Sequence, residues 1–283
     1  MAPNKLPLVS WLPPSEGATT LEVRDIGHLG ILAGMWDEFG FTDALNQAIG
    51  VDEQMAVPPG VMLKGLVLNV FSGRDPLYRL RHFFSERVPV DVLLGPGVDA
   101  DHFNDTSIGR HLDHLHAAGG ARAFDAIAMC AIVHEHLEVN RLLRVDTTSR
   151  LVFGEFDHPE RPDVISVTRG HSKDHRPDLK QVIFGMVTDD DGVPVLGRAL
   201  DGNTEDKAWF GKVLREIRPR LRVARNQQLH LVGDAALINK PNLDVAAVEG
   251  ITLTGRLPRT PRPAMTSWRR RWRIQMLGWT LEP

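Results

Sequence analysis

Near residue 142 the hydrophobic pattern of the chain changes period, and no other feature limits its fold as much. Upstream, Leu29, Leu32 and Trp36 recur at helical spacing, with Phe39 beyond them. Side chains three and four apart share one helix face, so these positions predict a buried stripe. Val61–Phe71 is an apolar segment after Pro58 and Pro59, and proline suits a first helical turn. Asn104 and Asp105 predict a cap for a helix through Ile108, Leu112 and Leu115, closed by Gly119 and Gly120. Ala121–Leu137 supplies another helix. Residues 21–141 therefore read as an all-α N-terminal domain, after a flexible arm at 1–20 that holds four prolines.

Downstream the pattern is extended. Leu142-Leu143-Arg144-Val145 leads into Asp146, and Leu151–Phe153 continues it. Gln181–Val187 and Val193–Leu200 flank the turn Asp189-Asp190-Asp191-Gly192, which predicts a hairpin. Thr204–Ile217 reads as a helix capped by Thr204, with Asn203 as the other candidate cap. A short strand, Leu229–Gly233, then stops at Asp234. Pro241–Val248 predicts a helix and Ile251–Thr254 a last strand. Three strands, helix, strand, helix, strand is the order of a mixed sheet covered by helices. The ribonuclease-H-like fold has that order, and other α/β folds share it.

Composition narrows the function classes. At 42% hydrophobic and 24% charged residues, the 283-residue chain has the make-up of a folded domain or two rather than a disordered one. Its single cysteine, Cys130, excludes an internal disulfide and a cysteine-built zinc site. No apolar run is long enough to span a membrane. The opening MAPNKLPLVSWLPP is too short in its apolar stretch and too proline-rich for a signal peptide, so a cytoplasmic location is expected. A net charge of −3 argues against a globally basic nucleic-acid binder but leaves local basic patches open.

The chemistry centres on two strand-end carboxylates, Asp146 and Asp234, 88 positions apart. If their strands are neighbours, both carboxylates meet at one sheet edge. Two hard oxygen donors there suit Mg²⁺ or Mn²⁺, which support phosphoryl transfer. The plainer alternative is that each aspartate only caps the following turn.

Four segments, RVDTTSRLVFGEFD, TRGHSKDHRPDLKQVIFGMVTDDDGVPV, DGNTEDKAWF and LHLVGDAALI, resemble the IS-four-type DDE transposases of insertion sequences. Within these, the chain resembles the group with an N-terminal helical domain of uncharacterised function. The match covers about residues 20 to 260, and GHSKDHRPDLKQ is its longest specific string. The resemblance implies a ribonuclease-H-like catalytic domain at 142–258, incomplete, behind the helical domain. It implies DNA cleavage and strand transfer with Mg²⁺ or Mn²⁺, held by Asp146 and Asp234 as the first two acids of a triad. It implies DNA, as element ends and target, for a partner. A second copy, or a full-length transposase, is a further expected partner.

The chain departs from the pattern in places. The Asp-Asp-Arg of the family's helical domain reads Asn104-Asp105-Thr106 here. The family's third acid is a glutamate on a later helix, preceded there by a tyrosine and an arginine. After Asp234 the acids are Asp244, Glu249 and Glu282, none in such a motif, and the only tyrosine is Tyr78. The third acid is therefore unassigned. Residues 256–273 hold seven arginines, and residues 259–283 read as an atypical basic tail. Truncation or a frameshift is the simplest account of it. Two other functions stand beside the transposase: a catalytically inactive DNA-binding or dimerising remnant, and a metal-dependent nuclease of the same fold.

Lys173, His175 and Arg176 are the expected DNA contacts, Lys as a point charge and Arg as a fork. Asp174 and Asp178 are the alternative partners of those charges. Arg215, Arg218, Arg220, Arg222 and Arg225 read as a solvated surface, with a DNA backbone contact as the alternative. His111, His114 and His116 do not share one helix face, which disfavours a zinc site; His134-Glu135-His136 is a weaker signal still.

Overall fold

Leu142–Val152 forms one continuous strand, β1, and the rest of the sheet is built around it. The computed structural model describes residues 25–134, 141–156, 164–171 and 176–256. The arm at 1–20, the tail at 259–283, Lys173, His175, Glu135 and His136 lie outside the described residues.

Along β1 the side chains alternate: Leu143, Val145 and Thr147 are buried, while Arg144, Asp146 and Thr148 are exposed. That period of two is what makes the segment a strand with one face on a core. Strands β2 (Lys180–Asp189) and β3 (Pro194–Leu200) follow as an antiparallel meander. Their hairpin is held by Asp189, whose carboxylate accepts the Val193 N–H at 2.8 Å and the Asp191 N–H at 3.1 Å. Gly192 takes the positive φ of 85° that the turn requires. Strands β4 (Leu229–Gly233) and β5 (Ile251–Gly255) add on the other side of β1, both parallel to it. The order is β3-β2-β1-β4-β5. A mixed five-stranded sheet of this order, behind a helical region, is the expected ribonuclease-H-like arrangement.

Helix α8 (Asp206–Arg220) crosses one face of the sheet. Trp209, Phe210, Val213, Leu214 and Ile217 all lie on its inner side with at most 1% of their surface exposed. Each such burial contributes roughly 1.5–3 kcal/mol. The Trp209 ring lies so close to β2 that a Cβ added at Gly185 would stand 2.3 Å from it. Helix α9 (Lys240–Glu249), capped by the Asn239 side chain on the Asn242 N–H at 3.0 Å, packs against α8 and β5. The expected cap of α8 is corrected. The N-cap is Glu205, whose side chain makes no cap bond, because Thr204 is drawn into the preceding turn, its N–H on the Asp201 carbonyl at 2.9 Å.

The helical region comprises α1 (Leu29–Glu38), α2 (Phe41–Ile49), α3 (Pro59–Ser72), α4 (Leu80–His82), α5 (Val90–Leu94), α6 (Asp105–Ala118) and α7 (Gly120–His134). Asn104 caps α6 through the Ser107 N–H at 2.9 Å. One cluster holds Met62, Leu68, Leu80, Phe83, Phe84 and Phe103; a second holds Trp36, Leu45, Ile49 and Ala123. Within the histidine trio, buried His111 sets its two ring nitrogens against the Ser107 and Val57 carbonyls at 2.7 and 2.9 Å, a structural tie. At the end of α7, His134 packs edge-on against the Phe39 ring at 4.8 Å.

Helix α7 belongs to both regions. Ala123 sits in a helical cluster, whereas Ile132 sits in the sheet's core, and Phe124 covers Gly197 of β3. Asp125 on the same helix takes Arg220 of α8 at 2.6 Å and Arg198 of β3 at 2.9 Å.

Candidate functional site

β1 and β4 pair in parallel with a constant offset: Leu142 with His230, Leu143 with Leu231, Arg144 with Val232. The offset is 88, the same as the separation of Asp146 and Asp234. Each aspartate lies two residues past the last pair between these two strands. Asp146 is still within β1, and Asp234 opens the turn that follows β4. Both are exposed.

Each carboxylate has one oxygen engaged by backbone. Asp146 Oδ1 accepts the Thr147 N–H at 2.8 Å, and Asp234 Oδ1 accepts the Ala236 N–H at 2.9 Å. Among the described residues neither has a cationic partner. Arg144, two positions from Asp146 on the same face, is instead held by the side chain and carbonyl of Asp190 in the β2–β3 turn. Two oxygen-donor side chains without a competing cation fit the hard-ligand preference of Mg²⁺ or Mn²⁺. Among the described residues no group of three His, Cys, Asp or Glu is placed to hold a metal ion.

On the opposite face of β1, at the start of α8, lies a cavity of about 500 Å³. Thr147, Ser149, His171, Thr204, Asp206 and Ala236 are among its walls. Here the Thr147 hydroxyl donates to Asp206 Oδ1 at 2.6 Å. In the sequence Asp206 stands out only as one of the acids of the 201–206 segment that favour the helix N-terminus, with a role in holding the site's edge as the secondary reading.

The loop before β2 is drawn onto that same end. Thr168 bridges Gln181, and the buried Gln181 amide donates to the Gly202 carbonyl at 2.7 Å. Backbones press so close here that a Cβ at Gly202 would stand 2.0 Å from the Gln181 carbonyl oxygen. Arg176, the described member of the expected DNA-contacting trio, grips Asp178 with two bonds of 2.8 and 2.6 Å. The hydrogen bond from Arg176 holds the Asp178 carboxyl below its ordinary range.

The arginine run is a solvated surface at Arg215, Arg222 and Arg225, which are exposed, but not at Arg218 and Arg220. Arg218 is 3% exposed and donates to the carbonyls of Ala224, Gln227 and Gly250 at 2.7, 3.1 and 3.0 Å. Arg220 is taken by Asp125 and the Val195 carbonyl. Both guanidiniums tie sheet connections together because the end of α8 faces inward there.

Comparison with known proteins places residues 21–129 in a domain of unknown function, DUF4277. No curated protein matches the chain. Among solved structures it bears a distant likeness to the piggyBac transposase in a synaptic complex with hairpin DNA, at 15% identity and a TM-score of 0.41. That likeness covers 85% of this chain and 52% of the other, so the chain spans about half the length of the transposase it matches. The Mos1 transposase, in a paired-end complex with the left transposon end and in a strand transfer complex, is similar at 10% identity, with TM-scores of 0.28. Those two likenesses cover 78% of this chain and 74% and 67% of theirs. No helix among the described residues is long and apolar enough to cross a membrane.

Proposed function

We propose that this chain carries the first two acids of a DDE transposase, Asp146 and Asp234, and acts on DNA by metal-dependent phosphoryl transfer. The observation that supports the reading is the shared offset of 88: the separation of the two exposed aspartates equals the register of the neighbouring parallel strands that lead to them. The four family-like segments support it from the sequence side. Asp146 and Asp234 would hold the divalent ion, which in such sites activates the attacking oxygen and stabilises the leaving one. In each a backbone N–H anchors one carboxylate oxygen, which would leave the other for the ion. Lys173, His175 and Arg176 would meet the DNA backbone beside that edge.

A second reading has its own observation. Among the described residues there is no metal-holding group of three His, Cys, Asp or Glu. A chain that binds DNA and a divalent ion without cutting is consistent with that. One experiment separates the readings. Mn²⁺ binding to the purified chain is followed by electron paramagnetic resonance, and nicking of supercoiled plasmid in Mn²⁺ is followed on gels. Binding lost in Asp146→Ala and in Asp234→Ala supports the site; nicking lost in the same variants makes it catalytic. Mn²⁺ binding that survives both substitutions overturns the assignment.

A further inference from the structure

Thr147 stands between two carboxylates. Its N–H donates to Asp146 Oδ1 at 2.8 Å, and its hydroxyl donates to Asp206 Oδ1 at 2.6 Å. Strand alternation sends the Asp146 and Thr147 side chains to opposite faces of β1. Asp206 therefore approaches from the face opposite the Asp146 side chain, and it reaches Asp146 only through the strand. We propose that Asp206 is a positioning residue for the Asp146 carboxylate, acting through Thr147; this rests on the reading of Asp146 as a metal ligand.

The geometry favours transmission. Asp206 occupies the first turn of α8, where the helix N-terminus favours a negative side chain. The helix is anchored three and four residues later by Trp209 and Phe210, at 1% and 0% exposure, so its first turn is a fixed point. Thr147 is 6% exposed, and its bond to Asp206 is a hydroxyl-to-carboxylate contact, among the stronger hydrogen bonds. With the hydroxyl held, the peptide between residues 146 and 147 keeps its plane. Its N–H then stays aimed at Asp146 Oδ1, which fixes the orientation of the carboxylate. Groups that orient a metal ligand from behind typically change metal affinity by about 10–100-fold when removed.

The test measures Mn²⁺ affinity by electron paramagnetic resonance on the full chain, with melting temperature as a parallel readout. Thr147→Val and Asp206→Ala are expected to weaken Mn²⁺ binding about tenfold. Combining the two should weaken it by less than the sum of the single effects, because both remove the bond between them. Thr147→Ser keeps the hydroxyl and Asp206→Asn keeps an acceptor, and both should stay near the parent chain. If Asp206→Asn behaves like Asp206→Ala while Thr147→Val binds normally, the effect is plain charge and the proposal falls. Lower melting temperatures with unchanged Mn²⁺ affinity also overturn it, leaving only a structural bond. A parent chain that binds no Mn²⁺, or whose binding survives Asp146→Ala, removes the underlying site as well, and that result is distinct from the other two.

Discussion

The helical region and the sheet region differ first in charge. Residues 25–140 carry 16 acidic and 7 basic side chains, whereas residues 141–256 carry 17 and 18. Phosphate contact is driven by local positive charge, so a DNA backbone is repelled by the first region and tolerated by the second. They also differ in how they are packed. The sheet gathers around one helix, α8, with five inner side chains almost wholly buried. The helical region divides its apolar residues between two clusters and leaves Ile31, Phe71, Tyr78 and Val92 more than half exposed. The sheet is thus the more tightly specified unit. Both regions leave apolar side chains exposed, Phe153 and Val248 among them in the sheet region, but among the described residues the helical region leaves more.

The largest expected effect tests that difference in packing. Gly185→Val forces a side chain into the Trp209 ring, and Trp209→Ala empties the same contact. Each should cost about 3–5 kcal/mol or prevent folding, measured by urea unfolding. Ile31→Ala on α1, at a 69% exposed position, should change stability by less than about 0.5 kcal/mol. A comparable loss at both places would mean that the two regions are packed alike.

Next comes the tie between them. Asp125→Ala leaves Arg198 and Arg220 without their carboxylate and should cost about 2 kcal/mol. Burial raises the Asp125 pKa, but the hydrogen bonds from Arg220 and Arg198 outweigh it and hold it below 3.8. A carboxyl with a depressed folded-state pKa stabilises above its unfolded value, and that stability is lost as pH falls through the folded one. The parent chain should therefore lose stability from this group below about pH 4, and Asp125→Asn should lack that component in acid titrations of melting temperature.

The charge contrast is tested on DNA. Replacing Lys173, His175 and Arg176 together with alanine should weaken binding and lower the slope of log K against log salt by about 2. Replacing Arg74, Arg79 and Arg81 in the helical region should leave that slope unchanged. Equal effects would place the DNA on both regions.

The smallest effect concerns the exposed pair. Asp178→Asn releases Arg176 from its fork, yet the melting temperature should not move, because solvent screens such pairs. A modest gain in DNA affinity is expected, since a competing carboxylate is removed from the arginine proposed to contact DNA.

Local signals in the sequence were enough for much of this. Asn104 caps α6 as its side chain predicts, and the Asp189–Gly192 turn makes the hairpin, because caps and turns depend on neighbours a few residues away. The order of strands and helices was legible from the change of period at residue 142. Helix α2 was not foreseen, although Phe41, Leu45 and Ile49 recur at helical spacing; its brevity between glycines concealed it.

Asp146 and Asp234 were expected as strand-end acids at a separation of 88; Asp234 follows the end of β4, but Asp146 lies inside β1, which runs on to Val152. That this number is also the register of β1 on β4 was decided only in three dimensions, because strand neighbours are set by packing across the sheet. The same holds for Thr147 and Asp206, 59 positions apart, and for Asp125 with Arg220, 95 apart. Arg218 and Arg220 looked like surface charge and became ties, one buried and one half-buried, since a helix face acquires its meaning only when something packs on it. The sequence by itself determined which residues could carry charge, bend the chain or bury a side chain. The tertiary structure decided which of them meet, because contacts between distant residues depend on the closed shape of the whole sheet.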